Sequence, residues 1–203
     1  MARISKLTGI ILAGGKSTRM GKDKGMALLN GKPLVAYAIE TLKAICDNII
    51  ISANSSDYKQ FGYPVQADLF PNCGPIGGIY SGLMCSKTDR NLVLSCDIPL
   101  VSKELLTYII DHSDKNKICV PVHDKEYLEP LCACYPKTSI ALLKKLIKQQ
   151  KYKLNGFLNV ASAERVLIHP GLPFYHPYLF FNLNQNHQLE EAKVLLNKYK
   201  NYR

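Results

Sequence analysis

The 203-residue sequence lacks several features that would assign it to a special class. No apolar run approaches the roughly 18–20 residues needed to cross a bilayer, so no membrane-spanning helix is expected. The opening Met-Ala-Arg-Ile-Ser-Lys-Leu-Thr runs directly into an apolar strand and has no small-residue cleavage site. No secretory signal is therefore read there, and a cytoplasmic location is expected. No internal repeat, low-complexity tract or linker interrupts the chain, and one domain over residues 1–203 is expected. The seven cysteines, Cys46, Cys73, Cys85, Cys96, Cys119, Cys132 and Cys134, are odd in number and form no Cys-x-x-Cys pair. Several sit inside apolar runs, which favours reduced thiols in a reducing compartment. Cys132 and Cys134 alternate as on one face of a strand. The five histidines show no helical metal spacing.

Acidic residues are also in short supply. Lys and Arg number 26 against 16 Asp and Glu, a formal net charge of +10. Such an excess concentrates anionic ligands without choosing among them. Lys144, Lys145, Lys148, Lys151 and Lys153, and the tail positions Lys193, Lys198, Lys200 and Arg203, read as solvated faces or as nucleic-acid contacts. No aromatic-interleaved RNA-binding strand or recognition helix is present, so nucleic acid is not an expected partner.

What the chain does have is an alternation of buried strands and helices. Apolar runs bounded by turn residues predict strands at residues 8–13, 48–53, 63–67, 91–96, 117–122 and 128–135. Helical patterns follow Pro33 and cover 80–85, 102–113 and 138–150, while the final third is less regular. Strands separated by helices imply βαβ units and a mostly parallel sheet covered on both faces. The expected fold is therefore α/β, a three-layer αβα sandwich with a Rossmann-like sheet. In such sheets ligands bind beyond the carboxyl ends of the strands. The loops at Gly14, Asn54, Asp68 and Asp97 should then share one crevice.

The loop after the first strand reads Leu12-Ala13-Gly14-Gly15-Lys16-Ser17-Thr18-Arg19-Met20-Gly21-Lys22-Asp23-Lys24. Its glycines permit close approach of backbone N–H groups to an anion, and Arg19 and Lys24 add cations suited to phosphate. The alternative is a strand-to-helix turn with solvent-facing charges. A Walker A match would need Gly where Ile10 stands, and the glycine spacing 14, 15, 21 does not fit the dinucleotide fingerprint. Asp97, at the end of a buried strand, can hold Mg²⁺ or cap a turn before Pro99. Asp68 precedes Gly74-Pro75-Ile76-Gly77-Gly78, whose glycines could let a nucleoside lie on the backbone or simply form a tight turn.

The segment Leu12–Lys24 resembles the nucleotidyltransferase signature LAGG-x-S-x-R-M-G-x-D-K. Further matches are LNGKPL (29–34), GPIGGIYSGL (74–83), CDIPLV (96–101), EPLCACY (129–135) and FFNLNQNHQL (180–189). Together they resemble the molybdenum cofactor guanylyltransferase family, with the fold of nucleotide-diphospho-sugar transferases. The resemblance implies that Leu12, Ala13 and Gly14 line a guanine nucleotide site, with Gly15 and Arg19 beside the phosphates. It implies a phosphate contact for Lys24, a nucleoside contact for Asp68 and a Mg²⁺ ligand in Asp97. Catalysis would then fall to Gly15, Arg19, Lys24 and Asp97. Asn182 and Asn184 would lie near the pterin substrate. A family position often occupied by Asn falls on Ser52, with Asn54 as a neighbouring substitute. Gln185-Asn186-His187-Gln188 replaces the common Thr-Pro-Glu-Glu ending, from which a weaker helix cap is expected. The implied substrates are GTP and Mo-molybdopterin, with transient contact to proteins that deliver the pterin or receive the product. A cytidylyl-transferring sister enzyme and a sugar- or polyol-phosphate nucleotidyltransferase are the alternatives. LAGG, where the cytidylyl branch resembles LAAG, favours guanine.

Overall fold

A computed structural model describes residues 6–14, 23–124, 126–185 and 187–199. Gly15 and Arg19, and the tail residues Lys200 and Arg203, lie outside the described residues. In chain order the elements are β1 (Leu7–Leu12), β2 (Leu28–Leu29), β3 (Lys32–Pro33), α1 (Leu34–Lys43), β4 (Asn48–Ser52) and β5 (Val65–Gln66). They continue with α2 (Pro75–Cys85), β6 (Arg90–Ser95), α3 (Lys103–Asp111), β7 (Cys119–His123), β8 (Tyr127–Leu128) and β9 (Cys132–Pro136). The last are α4 (Ser139–Lys148), α5 (Leu154–Val160), β10 (Glu164–Leu167) and α6 (His187–Lys198).

The main sheet has the order β10-β7-β9-β6-β1-β4-β5, with β8 paired to β7, and β2 and β3 form a separate two-stranded ribbon. Strand β1 is buried along its whole length and lies parallel to both β4 and β6. Its side chains alternate between two cores. Ile11 packs with Leu92, Leu94, Ala38 and Leu42 beneath α1 and α3, and Ile10 and Leu12 pack with Val93, Ile76 and Ile79 beneath α2. Helices on both faces explain why these strands read as unbroken apolar runs. The three-layer α/β sandwich expected from the sequence is what is observed. Close packing of α2 depends on small residues: a Cβ on Gly82 would collide with Ile10 Cγ2.

Among the long strands of the described residues, only β9 runs against the sheet's main direction. It is antiparallel to β6 and to β7, so the two reversals leave β7 pointing the same way as β6 and β1. Strand β10 is parallel to β7, and β5 to β4. The carboxyl ends of β5, β4, β1, β6, β7 and β10 therefore finish along one edge.

Three local expectations are corrected. Residues 128–135, read as one strand, divide into β8 and β9, because Pro130 has no N–H for a ladder and Cys132 N–H turns back to Glu129 O at 3.1 Å. The helix expected from Tyr80 begins at Pro75, with proline's fixed φ at the first turn and Gly74 at φ +67 just before it. Gly77 and Gly78 are thus helical packing residues rather than a loop. The final third is regular, holding α5, β10 and α6. Lys144, Lys145 and Lys148 are exposed along α4, as a solvated face requires. No helix among the described residues is long and apolar enough to cross a membrane.

Candidate functional site

The loops leaving β1, β4, β5 and β6 are joined just beyond their strands. Ala13 N–H donates to Ser52 O (3.0 Å), Ala53 N–H to Gln66 O (3.0 Å) and Cys96 N–H to Leu12 O (3.1 Å). These bonds extend the parallel ladder by a residue, so Gly14, Asn54, Asp68 and Asp97 emerge side by side at the carboxyl edge.

Lys24 is aimed by its neighbours. Asp23 Oδ1 accepts the Gly25 N–H (3.1 Å) and caps the short turn Lys24–Met26. Tyr58, fully buried, donates its hydroxyl to Ala13 O (2.8 Å) and also contacts Asp23 Oδ1. Burial first, and the Asp23 contact second, push the Tyr58 phenol well above its usual range. A Cβ on Gly25 would strike that hydroxyl, so only glycine fits. The turn that carries Lys24 is thereby pinned to the end of β1.

The Lys24 ammonium reaches Asp97 Oδ2 (2.6 Å), Asn184 Oδ1 (2.9 Å) and Asn182 Oδ1 (3.3 Å). An ammonium has three protons, and three oxygens surround it here. Residues separated by as many as 160 positions in sequence thus converge on one nitrogen. Leu183 N–H donates to Asp97 O (2.8 Å), which fastens the asparagine segment to the end of β6. Gln188 Oε1, in the first turn of α6, accepts from Asn184 N–H (2.7 Å) and Gln185 N–H (2.9 Å), which ties the asparagine segment to the helix that follows it.

Asp97 does not cap the following helix. That role belongs to Ser102, which accepts from Leu105 N–H at 3.2 Å. Asp97 Oδ1 is buried and has no hydrogen-bond partner among the described residues. A buried carboxylate oxygen without a donor is costly, and a cation would satisfy it. The amide oxygens of Asn182 and Asn184 are the other hard donors nearby. No group of three or more His, Cys, Asp or Glu able to hold a metal occurs among the described residues. The Asp97 carboxylate and the two amide oxygens are nonetheless hard oxygen donors of the kind a divalent cation takes, with water and ligand oxygens completing its shell.

On the other side of Gly14, Asn54 and Asp68 bond reciprocally: Asn54 Nδ2 donates to Asp68 Oδ2 (3.1 Å) and Asp68 N–H donates to Asn54 Oδ1 (2.9 Å). Ser52 is buried and donates its hydroxyl to Gly78 O (3.2 Å), behind the crevice rather than in it. Leu12 and Ala13 are buried at the end of β1, whereas Gly14 is exposed. All seven cysteines are free, and burial pushes the Cys46 and Cys119 thiols up to about 12. Tyr58, Gly25 and Gln188 were not anticipated. A lone Tyr in a loop carries no signal, but Asp23 before a Gly is a legible turn cap.

The chain as a whole is similar to known proteins. The chain is 38% identical over 193 residues to a molybdenum cofactor guanylyltransferase of Vibrio vulnificus, covering 90% of this chain and 92% of that one. It is 31% identical over 198 residues to one of Desulfosudis oleivorans, covering 94% and 96%. The crystal structure of molybdopterin-guanine dinucleotide biosynthesis protein A from Archaeoglobus fulgidus shares the fold, with a TM-score of 0.80 at 24% identity over 94% of this chain and 99% of that one. The family model for the MobA-like NTP transferase domain matches residues 9–166, from β1 through β10. A family model that spans most of the fold and relatives matched over nine-tenths or more of both chains agree: the chain belongs to the MobA-like NTP transferase domain family.

Proposed function

We propose that the protein is a molybdenum cofactor guanylyltransferase, which joins GMP from GTP to Mo-molybdopterin and releases pyrophosphate. The observation that carries this reading is the convergence of Lys24, Asp97, Asn182 and Asn184 on one point of the crevice. A phosphate oxygen of the pterin substrate attacks the α-phosphorus of GTP, a new P–O bond forms, and the bond to the β-phosphate oxygen breaks. The attacking oxygen is already anionic near neutral pH, so no general base is required. Two polyanions must approach each other, and the net charge of +10 assists their capture.

Leu12, Ala13 and Gly14 present backbone to the guanine, while Asn54 and Asp68 together hold the nucleoside. Asn54 takes the role that the family pattern assigns to the position of Ser52, because the Ser52 hydroxyl is committed to Gly78. Lys24 exchanges one of its oxygen partners for a phosphate, and Gly15 and Arg19 act beside it on the phosphates. Asp97, assisted by the amide oxygens of Asn182 and Asn184, would hold Mg²⁺, which when bound neutralises charge on the triphosphate and on the departing pyrophosphate. The asparagines also border the pterin side, where proteins that supply the pterin or take up the product would make transient contact.

Incubation of the purified protein with each of the four NTPs, Mg²⁺ and molybdopterin tests the proposal. The guanine dinucleotide should form with GTP, and pyrophosphate should be released with it. A cytosine dinucleotide formed from CTP instead would assign the protein to the cytidylyl branch. No dinucleotide from any NTP would refute transfer to this acceptor.

A further inference from the structure

A phosphate role for Lys24 requires that the backbone carrying it be held in place. Downstream, the turn Lys24–Met26 is tied to α1: Ala27 O accepts the Leu34 N–H (3.0 Å), and Met26 packs against the core beneath α1. Upstream, the turn is tied through Asp23 to the Tyr58 phenol. The hydroxyl lies 2.8 Å from Ala13 O and meets Asp23 Oδ1, the same oxygen that accepts the Gly25 N–H (3.1 Å). Ala13 and Asp23 flank the glycine-rich segment 14–22 in the sequence. One hydroxyl therefore joins both ends of that segment.

Tyr58 comes from the loop after β4, in the short helical turn Ser56–Phe61, which Ser55 caps by accepting the Asp57 N–H (3.1 Å). It stands four residues beyond Asn54, so its segment also carries the proposed nucleoside contact. The ring is fully buried, and a phenylalanine would fill the same space. The oxygen adds direction. Burial raises the phenol's pKa, so the hydroxyl keeps its proton, and that one proton has two acceptors. The bare Cα of Gly25 lets the hydroxyl approach, since a Cβ there would strike it. Asp97, Asn182 and Asn184, by contrast, hold only the ammonium at the tip of Lys24.

We propose that Tyr58 is a positioning residue for nucleotidyl transfer: its hydroxyl clamps Ala13 to Asp23 and so fixes where Lys24 stands relative to the nucleotide-binding backbone at Gly14. The assignment rests on the guanylyltransferase reading and adds to it a buried residue that touches neither substrate. A phosphate must displace at least one oxygen partner at the tip of Lys24. The clamp acts at the base of the side chain and stays closed through that exchange, which keeps the freed ammonium within reach of the phosphate. Placement matters on this scale, because a shift of about 1 Å in a reacting group can cost about 100-fold in rate.

A double-mutant cycle on the full chain tests this, with pyrophosphate release followed as GTP and molybdopterin are varied in turn. Tyr58→Phe removes one oxygen and keeps the ring. Alone, it should lower kcat/KM for GTP about tenfold while KM for the pterin stays within about twofold. In the Lys24→Ala background the same substitution should change kcat/KM for GTP by less than about twofold, because the group it positions is gone. A purely structural role would lower activity equally in both backgrounds. Equal losses, or no loss in the single variant, overturn the positioning role and leave the guanylyltransferase reading standing, since the unsubstituted chain still forms the dinucleotide. If that chain forms none, calorimetric titration with GTP replaces turnover as the readout. GTP binding that weakens in Tyr58→Phe but not when Lys24→Ala is already present then supports the clamp and refutes the reaction. Any other pattern there overturns both.

Discussion

Truncating Lys24 separates a role in transfer from a role in folding. Lys24→Ala removes an ammonium that touches Asp97 at 2.6 Å, Asn184 at 2.9 Å and Asn182 at 3.3 Å. In the nucleotide complex proposed above, at least one of the ammonium's N–H donors turns to a phosphate oxygen. A charge-assisted hydrogen bond contributes about 1.5–3 kcal/mol, so kcat/KM for GTP should fall about 10- to 150-fold. The effect on folding is far smaller. The Lys24 and Asp97 side chains are 20% and 14% exposed and open onto the crevice, where water can replace the lost partner. Stability should drop by about 1 kcal/mol or less, a shift of roughly 2–4 °C in Tm. Metal binding should move the other way. The ammonium occupies the carboxylate in the nucleotide-free protein, so Mn²⁺ followed by electron paramagnetic resonance should bind the variant more tightly in the absence of GTP. Pyrophosphate release with GTP varied at saturating pterin, run beside a thermal melt, measures both quantities. A kcat/KM for GTP unchanged in Lys24→Ala would refute the phosphate role, and weaker Mn²⁺ binding would refute the competition.

Three further outcomes are expected. A Cβ on Gly14 would meet Ala53 Cα at 3.5 Å and Ser52 O at 3.8 Å, ordinary contacts, so Gly14→Ala should leave stability within about 0.5 kcal/mol. Its GTP turnover should nevertheless fall, because the methyl group projects where the base is proposed to lie; full GTP use would remove Gly14 from the specificity argument. Tyr58→Phe leaves Ala13 O and Asp23 Oδ1 without the hydroxyl and should cost about 1–2 kcal/mol in urea unfolding, while an unchanged midpoint would show that the contact stabilises nothing. Desolvation lowers the His176 pKa from its ordinary 6.5, opposed by a hydrogen bond with the Leu100 backbone. The unfolded chain then takes up the proton first. Stability from this group is intact above pH 6.5 and is lost as the pH falls through 6.5 toward the lower folded value. Tm should therefore decline less steeply with acidification in His176→Gln, and parallel curves for the two proteins would contradict the assignment.

The layered α/β architecture was legible in the sequence because it rests on local pattern. Runs such as TGIILA and NLVLSC are too apolar to face water on either side, and only a sheet covered by helices buries both faces. Asp97 and Lys24 were legible as candidates because a carboxylate closing a buried strand and cations following a glycine turn are recognisable without partners. Their partnership was not, since Lys24, Asp97 and Asn184 are far apart in sequence and become neighbours only where α6's leading segment folds back over β6. Tertiary packing likewise sets the directions of Ser52 and Asn54: the alternation of a strand sends the Ser52 hydroxyl to Gly78 in α2, and Asn54, beyond the strand, turns to Asp68. Tyr58 is the clearest case of information absent from the linear code, because a buried phenol gains its role only from the Ala13 carbonyl and the Asp23 carboxylate that the fold brings to it. Local periodicity sets which residues are buried, whereas the direction of an individual polar side chain depends on donors and acceptors supplied from distant segments, and only the assembled sheet places those.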